Sequence, residues 1–432
     1  MAGTIGVLLI GSKGAVATTL LAAKASAEQG LVTAFPVPSD VEPAFRALGL
    51  ASLSDLVFGG WDIVPDSYAR SCEIHGVVPK HIARDIAATL DRTDIYPAIM
   101  TERNETIERL CRSPQASERM QDVDFTPTVF TKRPFLELVK SLEYDIADFR
   151  KKHRPDLVVM VNVASTDKQA ALGSVHQTID AFEAGLKRSD PTITAGMLYA
   201  YAGIKHGCHL INFTPSMMMD LPALEQYAKA KGVAMAGKDG KTGQTLYKTV
   251  IAGMLKQRNL KLRGWYSTNI LGNRDGQVLN DPAHRATKID AKSAVLEKIL
   301  GYADYDHQVH IHYYPPRGDA KEAWDSIDFS SWFDVPMQMK IDWLGDDSVL
   351  AAPLVFDLIR WVAFFAGEGE SGPLAHLAAY FKHPLGTEEY EFFNQMEMLR
   401  AHVRQRYGQA RPNGPARARA AKPRVRRQSV VR

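Results

Sequence analysis

The sequence is poor in cysteine. Among 432 residues there are three, Cys72, Cys111 and Cys208, isolated from one another and without a CxxC pair. An odd, sparse set excludes a disulfide framework and a structural zinc site built on paired thiolates, and it points to a reducing compartment, the cytoplasm. Long apolar runs are also missing. None reaches the ~18 residues of a membrane span, and the apolar start at residues 5–10 is too short for the core of a signal peptide. Acids are absent from one region: residues 404–432 carry ten Lys/Arg and no Asp or Glu. The formal charge of +3 therefore hides a body, residues 1–403, with 42 basic and 49 acidic residues, a net of −7. The tail is rich in Pro, Ala and Gln and poor in large apolar residues, the composition of a disordered segment. A solubilising extension explains it better than a nucleic-acid contact does.

What remains is ordinary for a globular enzyme: 45% hydrophobic and 23% charged residues, with length for two domains of roughly 150 residues or more each. The run IGVLLI (5–10) reads as a buried parallel strand. GSKGAVA (11–17) follows it and leads into an Ala-rich helix. Strand, Gly turn and helix in that order open a dinucleotide-binding half. The full GxGxxG fingerprint is missing, because Lys13 stands where the second Gly belongs and Ala17 at the third position. An acid for the ribose is not obvious near residue 40. Asp62 in FGGWD (58–62) is the second candidate, with Trp61 either a flat face for a ligand or a core residue.

Periodicity gives helices over 85–112 and 134–153. It gives buried strands over 156–163, 196–202 and 209–213. The β–α alternation predicts a doubly wound fold. Further on, QVHIHYY (308–314) and QMKIDW (338–343) alternate as half-buried antiparallel strands do. They predict a second domain of mixed sheet, and residues 353–365 read as an apolar helix. His310 and His312 share one face of their strand, which suits a metal but more simply a strand surface. No closed ligand set is legible, so a cation requirement stays open.

The centre of the chain lies in 237–292. GKDGKTGQT (237–245) packs glycines, a carboxylate, lysines and hydroxyls before a helical pattern. Such a loop either holds a phosphate at a helix N-terminus or simply makes a strand-to-helix turn. STNILGNRDG (267–276) supplies Asn269, Asn273 and Asp275. In TKIDAKS (287–293), Lys288 and Lys292 sit four apart on one helix face, where like charges repel unless an anion offsets them. Lys382 in YFKHP (380–384) is framed by apolar residues. The density of these segments points to a phosphorylated polyol.

Together LVFGGWDI, VNVAST, NFTPS, GKDGKTGQT, NILGNRDG, KIDAKS, GDAK, GDDSVLAAP and YFKHP, in that order, resemble the myo-inositol-1-phosphate synthase family, in particular its shorter prokaryotic-type members. The resemblance spans most of residues 1–403. It implies a Rossmann-type doubly wound parallel sheet from 1–245 plus 350–403, with an inserted α/β mixed-sheet domain at 246–349 for catalysis and oligomerisation, in a homotetramer rather than a dimer. It implies cyclisation of glucose 6-phosphate to inositol phosphate with tightly held NAD that is regenerated in each turnover.

The resemblance also assigns residues. Lys288, aided by Lys382, would exchange the proton of the carbon 5 hydroxyl. Lys321 would polarise the aldehyde oxygen or bind phosphate, and Lys292 would pair with the phosphate. Thr242, Gly243, Gln244 and Thr245 would cradle that phosphate, and Leu271 would line the substrate. Asp239, Asn269, Asn273, Asp275 and Asp347 would orient lysines, nicotinamide and sugar hydroxyls. Gly11, Gly14, Ala15, Val16, Trp61, Asp62, Ile63, Ala164 and Thr166 would hold NAD. Lysines suit this chemistry because each intermediate develops negative charge on oxygen, and crowding lowers an amine's pKa toward that of a base working near pH 7. The runner-up is an NAD-dependent dehydrogenase of a phosphorylated sugar that releases NADH.

Overall fold

The computed structural model describes residues 3–32, 36–64, 66–101, 133–167, 170–272, 295–318 and 320–408. In chain order its strands are β1 (Ile5–Ile10), β2 (Leu56–Asp62), β3 (Asp94–Pro97), β4 (Leu157–Asn162), β5 (His209–Asn212), β6 (Ala234–Gly237), β7 (Lys261–Leu271), β8 (Asp306–Tyr313), β9 (Ala320–Ser330), β10 (Pro336–Asp346) and β11 (Gly372–Pro373). Seven form a sheet in the order β11-β6-β5-β4-β1-β2-β3, every pair parallel. The chain builds outward from β1 in one direction through β2 and β3, and from β4 in the other through β5 and β6. The strand order therefore reverses between β1 and β4, where open α/β sheets bind their ligands beyond the carboxyl ends.

Helices cover both faces of this sheet, so its strands read as unbroken apolar runs; all six residues of β1 are buried. One face packs on α1 (Ala15–Glu28), α5 (Asp347–Gly367) and α6 (Phe392–Tyr407) through Leu20, Leu21, Val355, Leu358 and Leu399. The other packs on α2 (Phe135–His153) and α3 (Ala195–Lys205) through Leu142, Phe149, Met197 and Ile204. Helix α5 is long and apolar enough to cross a membrane by composition, yet 67% of its apolar window is buried inside the fold. It is the core helix.

The second sheet runs β10-β9-β7-β8. Helix α4 (Gln244–Gln257) and residues 295–300 pack on its inner face through Leu255, Leu296, Trp265 and Ile327. Its outer face shows Tyr266 and Trp324 at 37% and 40% exposure, the half-buried pattern that alternation predicts.

Several expectations change. Residues 196–202 are helix rather than strand: α3 is buried on every side from Gly196 to Ile204, which erases the amphipathic period that would reveal it. β8 is parallel to β7, not antiparallel, because alternation reports which side is wet and says nothing about direction. Of the helix expected over 85–112, the described part ends at Leu90 and β3 follows at Asp94–Pro97; residues 102–112 lie outside the described residues. The basic tail begins inside α6, where Arg404 pairs with Glu397; residues 409–432 lie outside the described residues.

Candidate active site

Two loop systems at the carboxyl ends of the first sheet carry the polar residues. At the switch point, Gly11 has φ +82°, and a Cβ there would sit 2.6 Å from the Ala164 Cα. Only glycine allows the turn after β1 to lie this close to the turn after β4. The N–H groups of Gly11 and Ser12 donate to the Trp61 carbonyl at 3.0 and 3.1 Å. Gly14 then opens α1 in an extended conformation with no side-chain cap. First-turn N–H groups such as those of Ala15 and Val16 have no intrahelical acceptor, and with the helix dipole they favour an anion. This is the geometry a pyrophosphate needs, and the residues present fit a dinucleotide.

The structure also explains the departure at Lys13. Its ammonium donates to the Val64 carbonyl at 2.9 Å, which turns the side chain toward the segment after β2. Burial lowers its pKa, against the raising charges of Asp62, Asp66 and Asp91. Asp62 lies at the end of β2, level with the Gly11 turn, where an acid for a ribose is expected. Its two oxygens already accept from Lys13 N and Val64 N at 2.7 and 2.8 Å, so it braces the turn. Burial is the main cause that raises its pKa. Trp61 does not offer a flat face to a ligand. Its ring is fully buried against Tyr199, and its indole N–H donates to Asp145 at 2.8 Å; its carbonyl, just before Asp62 and Ile63, holds the Gly11 turn. Ala164 N is held by Asn162 Oδ1 at 3.2 Å, and Thr166 follows in the same half-buried loop.

The second system is the loop after β6. Three separate segments, 212–216, 237–245 and 380–384, are hydrogen-bonded into one unit here. Asp239 N donates to Thr214 O and Gly240 N to Phe213 O. Lys241 N donates to Tyr380 O and Lys382 N to Asp239 O. A Cβ on Gly240 would lie 2.1 Å from the Phe213 ring, so glycine is required by close approach. Within the unit, Lys382 Nζ donates to Asp239 Oδ1 at 2.7 Å. Thr242 Oγ1 donates to Asp347 Oδ1 at 3.2 Å, and Lys321 Nζ to Asp347 Oδ2 at 3.4 Å. Strand register brings Lys321 there, since β9 places it opposite Leu271 of β7 and Gly345 of β10. Gly243 caps α4 without a side-chain bond, and Gln244 and Thr245 form the buried first turn.

The loop after β6 thus meets two carboxylate-held ammonium groups, Lys382 and Lys321, beside a helix N-terminus, an arrangement that suits a phosphate and oxygen atoms that gain charge. Asp239, Thr242, Gly243, Gln244, Thr245, Asn269, Leu271, Lys321, Asp347 and Lys382 belong to it or to the strand ends beside it. Asn273, Asp275, Lys288 and Lys292 lie outside the described residues.

Sequence reasoning missed a buried layer beneath this loop. Asp325, 1% exposed, accepts from Trp265, Ser267 and Gln244. Lys248, also 1% exposed, lies 2.9 Å from His307 Nε2, and burial pulls its pKa down to about 8. Lys241 is bonded to Gln395, and burial, helped by the charge of Lys382, brings its pKa to about 7. The available signal was an acid in the inward frame of a strand, since Ala323, Asp325 and Ile327 alternate inward on β9.

His310 and His312 stand on β8 with ring centroids 6.3 Å apart, and His310 packs on Tyr266. Among the described residues, Glu370, His376 and His402 bring metal-ligand atoms within 4.8 Å of one another at the far end of α5. The two imidazoles there stack face to face at 3.8 Å and 5°. Their in-plane lone pairs run side by side rather than converging.

Comparison with known proteins identifies the family. Residues 37–404 match the family described as myo-inositol-1-phosphate synthase. The inositol-3-phosphate synthase 1 of Bacteroides thetaiotaomicron is 34% identical over 95% of this chain and 97% of its own length. The Saccharomyces cerevisiae inositol-3-phosphate synthase is 27% identical over 76% of this chain and 62% of its own. The crystal structure of the Caenorhabditis elegans inositol-3-phosphate synthase shares the fold at a TM-score of 0.80 and 21% identity, covering 93% of this chain and 86% of that one. The chain belongs to the myo-inositol-1-phosphate synthase family, a family of NAD-binding enzymes.

Proposed function

We propose that the protein cyclises D-glucose 6-phosphate to 1D-myo-inositol 3-phosphate without net oxidation. The observation that carries this reading is the loop after β6, where Asp239 holds Lys382 and Asp347 holds both Thr242 and Lys321. NAD, held by Gly11, Gly14, Ala15, Val16, Asp62, Ile63, Ala164 and Thr166, would supply an acceptor for the carbon 5 hydride and the donor for its return. The chain's own residues do the rest. The N–H groups at the start of α4, those of Gly243, Gln244 and Thr245, hold the phosphate with Thr242 and Lys292. Lys288 takes and returns the proton of the carbon 5 hydroxyl, aided by Lys382. Once carbon 5 is a ketone, the carbon 6 proton is acidic enough to leave, and ammonium groups carry the charge of the enolate oxygen. Lys321 polarises the carbon 1 aldehyde while carbon 6 attacks it. Asp239 and Asp347 hold two of these amines beside the loop, and Asn269, Leu271, Asn273 and Asp275 complete the walls.

In this reading residues 246–349 act as the catalytic and oligomerisation unit, and 1–245 with 350–403 as the NAD-binding unit. Trp332, Phe333 and Val335, exposed at 84%, 93% and 54% between β9 and β10, supply apolar surface for a homotetramer. A cytoplasmic location is supported by Cys72 and Cys208, both buried and unpaired. The test is direct. Purified protein with glucose 6-phosphate and NAD should give inositol phosphate by NMR with no net change in absorbance at 340 nm. A stoichiometric rise at 340 nm would identify a dehydrogenase instead.

A further inference from the structure

Asp325 is a buried carboxylate in an inward position that an aliphatic residue would fill more cheaply. Burying a carboxylate costs several kcal/mol unless it is well paired and bonded. The surrounding residues meet that condition. Trp265 Nε1 donates at 2.7 Å and Ser267 Oγ donates to the same oxygen. Gln244 Nε2 reaches both carboxylate oxygens, at 3.1 and 3.0 Å. Tyr247 OH stands at 3.5 Å. The buried ammonium of Lys248 lies in the same layer, 5.3 Å over the Trp265 ring, with Asp325 as its opposing charge.

Of these partners, Trp265 and Ser267 lie on β7 and Tyr247 inside α4, and only Gln244, the first residue of α4, adjoins the loop that carries Asp239 and Thr242. A primary amide has one donor end and one acceptor end. With its NH2 on Asp325, the Gln244 carbonyl is turned to accept from Asn269 Nδ2 at 2.9 Å. That bond, with a second to the His310 carbonyl at 3.5 Å, commits the donor end of Asn269, so the Asp325 carboxylate and the His310 carbonyl set the two amides in the same sense. The reversed orientation would set the Gln244 carbonyl against Asp325.

We propose that Asp325 is a positioning residue for the substrate site: by drawing the donor end of Gln244 inward and so, together with the His310 carbonyl, that of Asn269, it leaves their carbonyl oxygens as the acceptors offered to the hydroxyls of the phosphorylated substrate. This rests on the reading of Gln244 as a substrate-site residue. The test is a double-mutant cycle in kcat/KM for glucose 6-phosphate, with thermal melts to verify folding. Asp325→Asn keeps the shape but puts an NH2 among donors. It should cost at least tenfold in the wild-type background and less than threefold in a Gln244→Ala background. Trp265→Phe, which removes a donor to the same carboxylate from β7, should cost less than threefold.

An equal loss from Asp325→Asn in both backgrounds means a purely structural role and overturns the proposal, as does a kinetically silent Asp325→Asn. Should Asp325→Asn fail to fold, Gln244→Asn reads the same contact. It draws the amide back by one methylene and should also cost tenfold, and wild-type kinetics would overturn the proposal. Calorimetric binding of glucose 6-phosphate gives the same cycle without turnover. A protein that binds the sugar phosphate but does not cyclise it thus refutes the function without deciding the role of Asp325.

Discussion

Replacing Lys241 with methionine should stabilise the protein at pH 7 and lose that advantage by pH 10. The Lys241 side chain is buried at 3% exposure. Burial, with a smaller push from Lys382 and an opposing pull from Glu389, takes its pKa from 10.5 to about 7. A shift of that size corresponds to about 5 kcal/mol between the protonation states, of which about 4 kcal/mol is felt at pH 7, where the folded amine is half protonated. The sign follows from proton counts. Between pH 7 and 10.5 the unfolded chain binds a proton that the folded chain has released, so wild-type stability rises with pH across that window. By pH 10 the cost has fallen to about 1 kcal/mol. Methionine has no charge to desolvate, but it leaves Gln395 Oε1 without its Lys241 donor, a loss of about 1–3 kcal/mol. The variant should gain about 1–3 kcal/mol at pH 7 and be level or worse at pH 10. Urea unfolding at pH 7, 8.5 and 10 under reducing conditions measures this. A stability difference that stays constant across the three pH values would refute the reasoning, because the charge would then not be its source.

Other expectations follow from the same geometry. Asp347→Ala removes the acceptor shared by Thr242 and Lys321; kcat should fall at least 100-fold with NAD affinity, read by protein fluorescence, unchanged. Lys288→Ala should abolish cyclisation while NAD stays bound, and a variant that cyclises at the wild-type rate would remove Lys288 from the proposed role. Acid should destabilise the fold early. Burial pushes His209 and His376 down to about 4, so each contributes up to about 3 kcal/mol that is present above pH 6.5 and lost as pH falls to 4. Asp145, raised to about 6 mainly by burial, opposes this below pH 6, and His209→Gln should flatten the fall in melting temperature between pH 6.5 and 4.5. Trp332→Ser with Phe333→Ser should shift the particle mass of the proposed homotetramer toward smaller species in light scattering.

The sequence was legible wherever burial is one-sided or total in a short element. β1 and β4 are unbroken apolar runs because helices cover both sheet faces, and β10 alternates because one of its faces is wet. α3 was misread for the same physical reason that β1 was read correctly: total burial removes periodicity, and over seven residues a helix and a strand then look alike. Spacing in the chain also hid the pairing of charges. Asp239 with Lys382, and Asp347 with Thr242 and Lys321, are joined only by the fold. Individual residues carried both readings until the structure chose between them. Trp61 proved to be a core residue with a useful carbonyl, and Lys13 found a carbonyl of its own at Val64. Asp325 and Lys248 escaped because a lone acid and a lone base, each in an ordinary element, carry no motif.

The central claim is that the hydride leaves carbon 5 and returns to it within one turnover. Glucose 6-phosphate carrying deuterium at carbon 5 tests this most directly, with NMR and mass spectrometry of the product. The account predicts inositol phosphate that retains the label and a cofactor pool without deuterium. Label lost to water, or accumulating in released NADH, would contradict it.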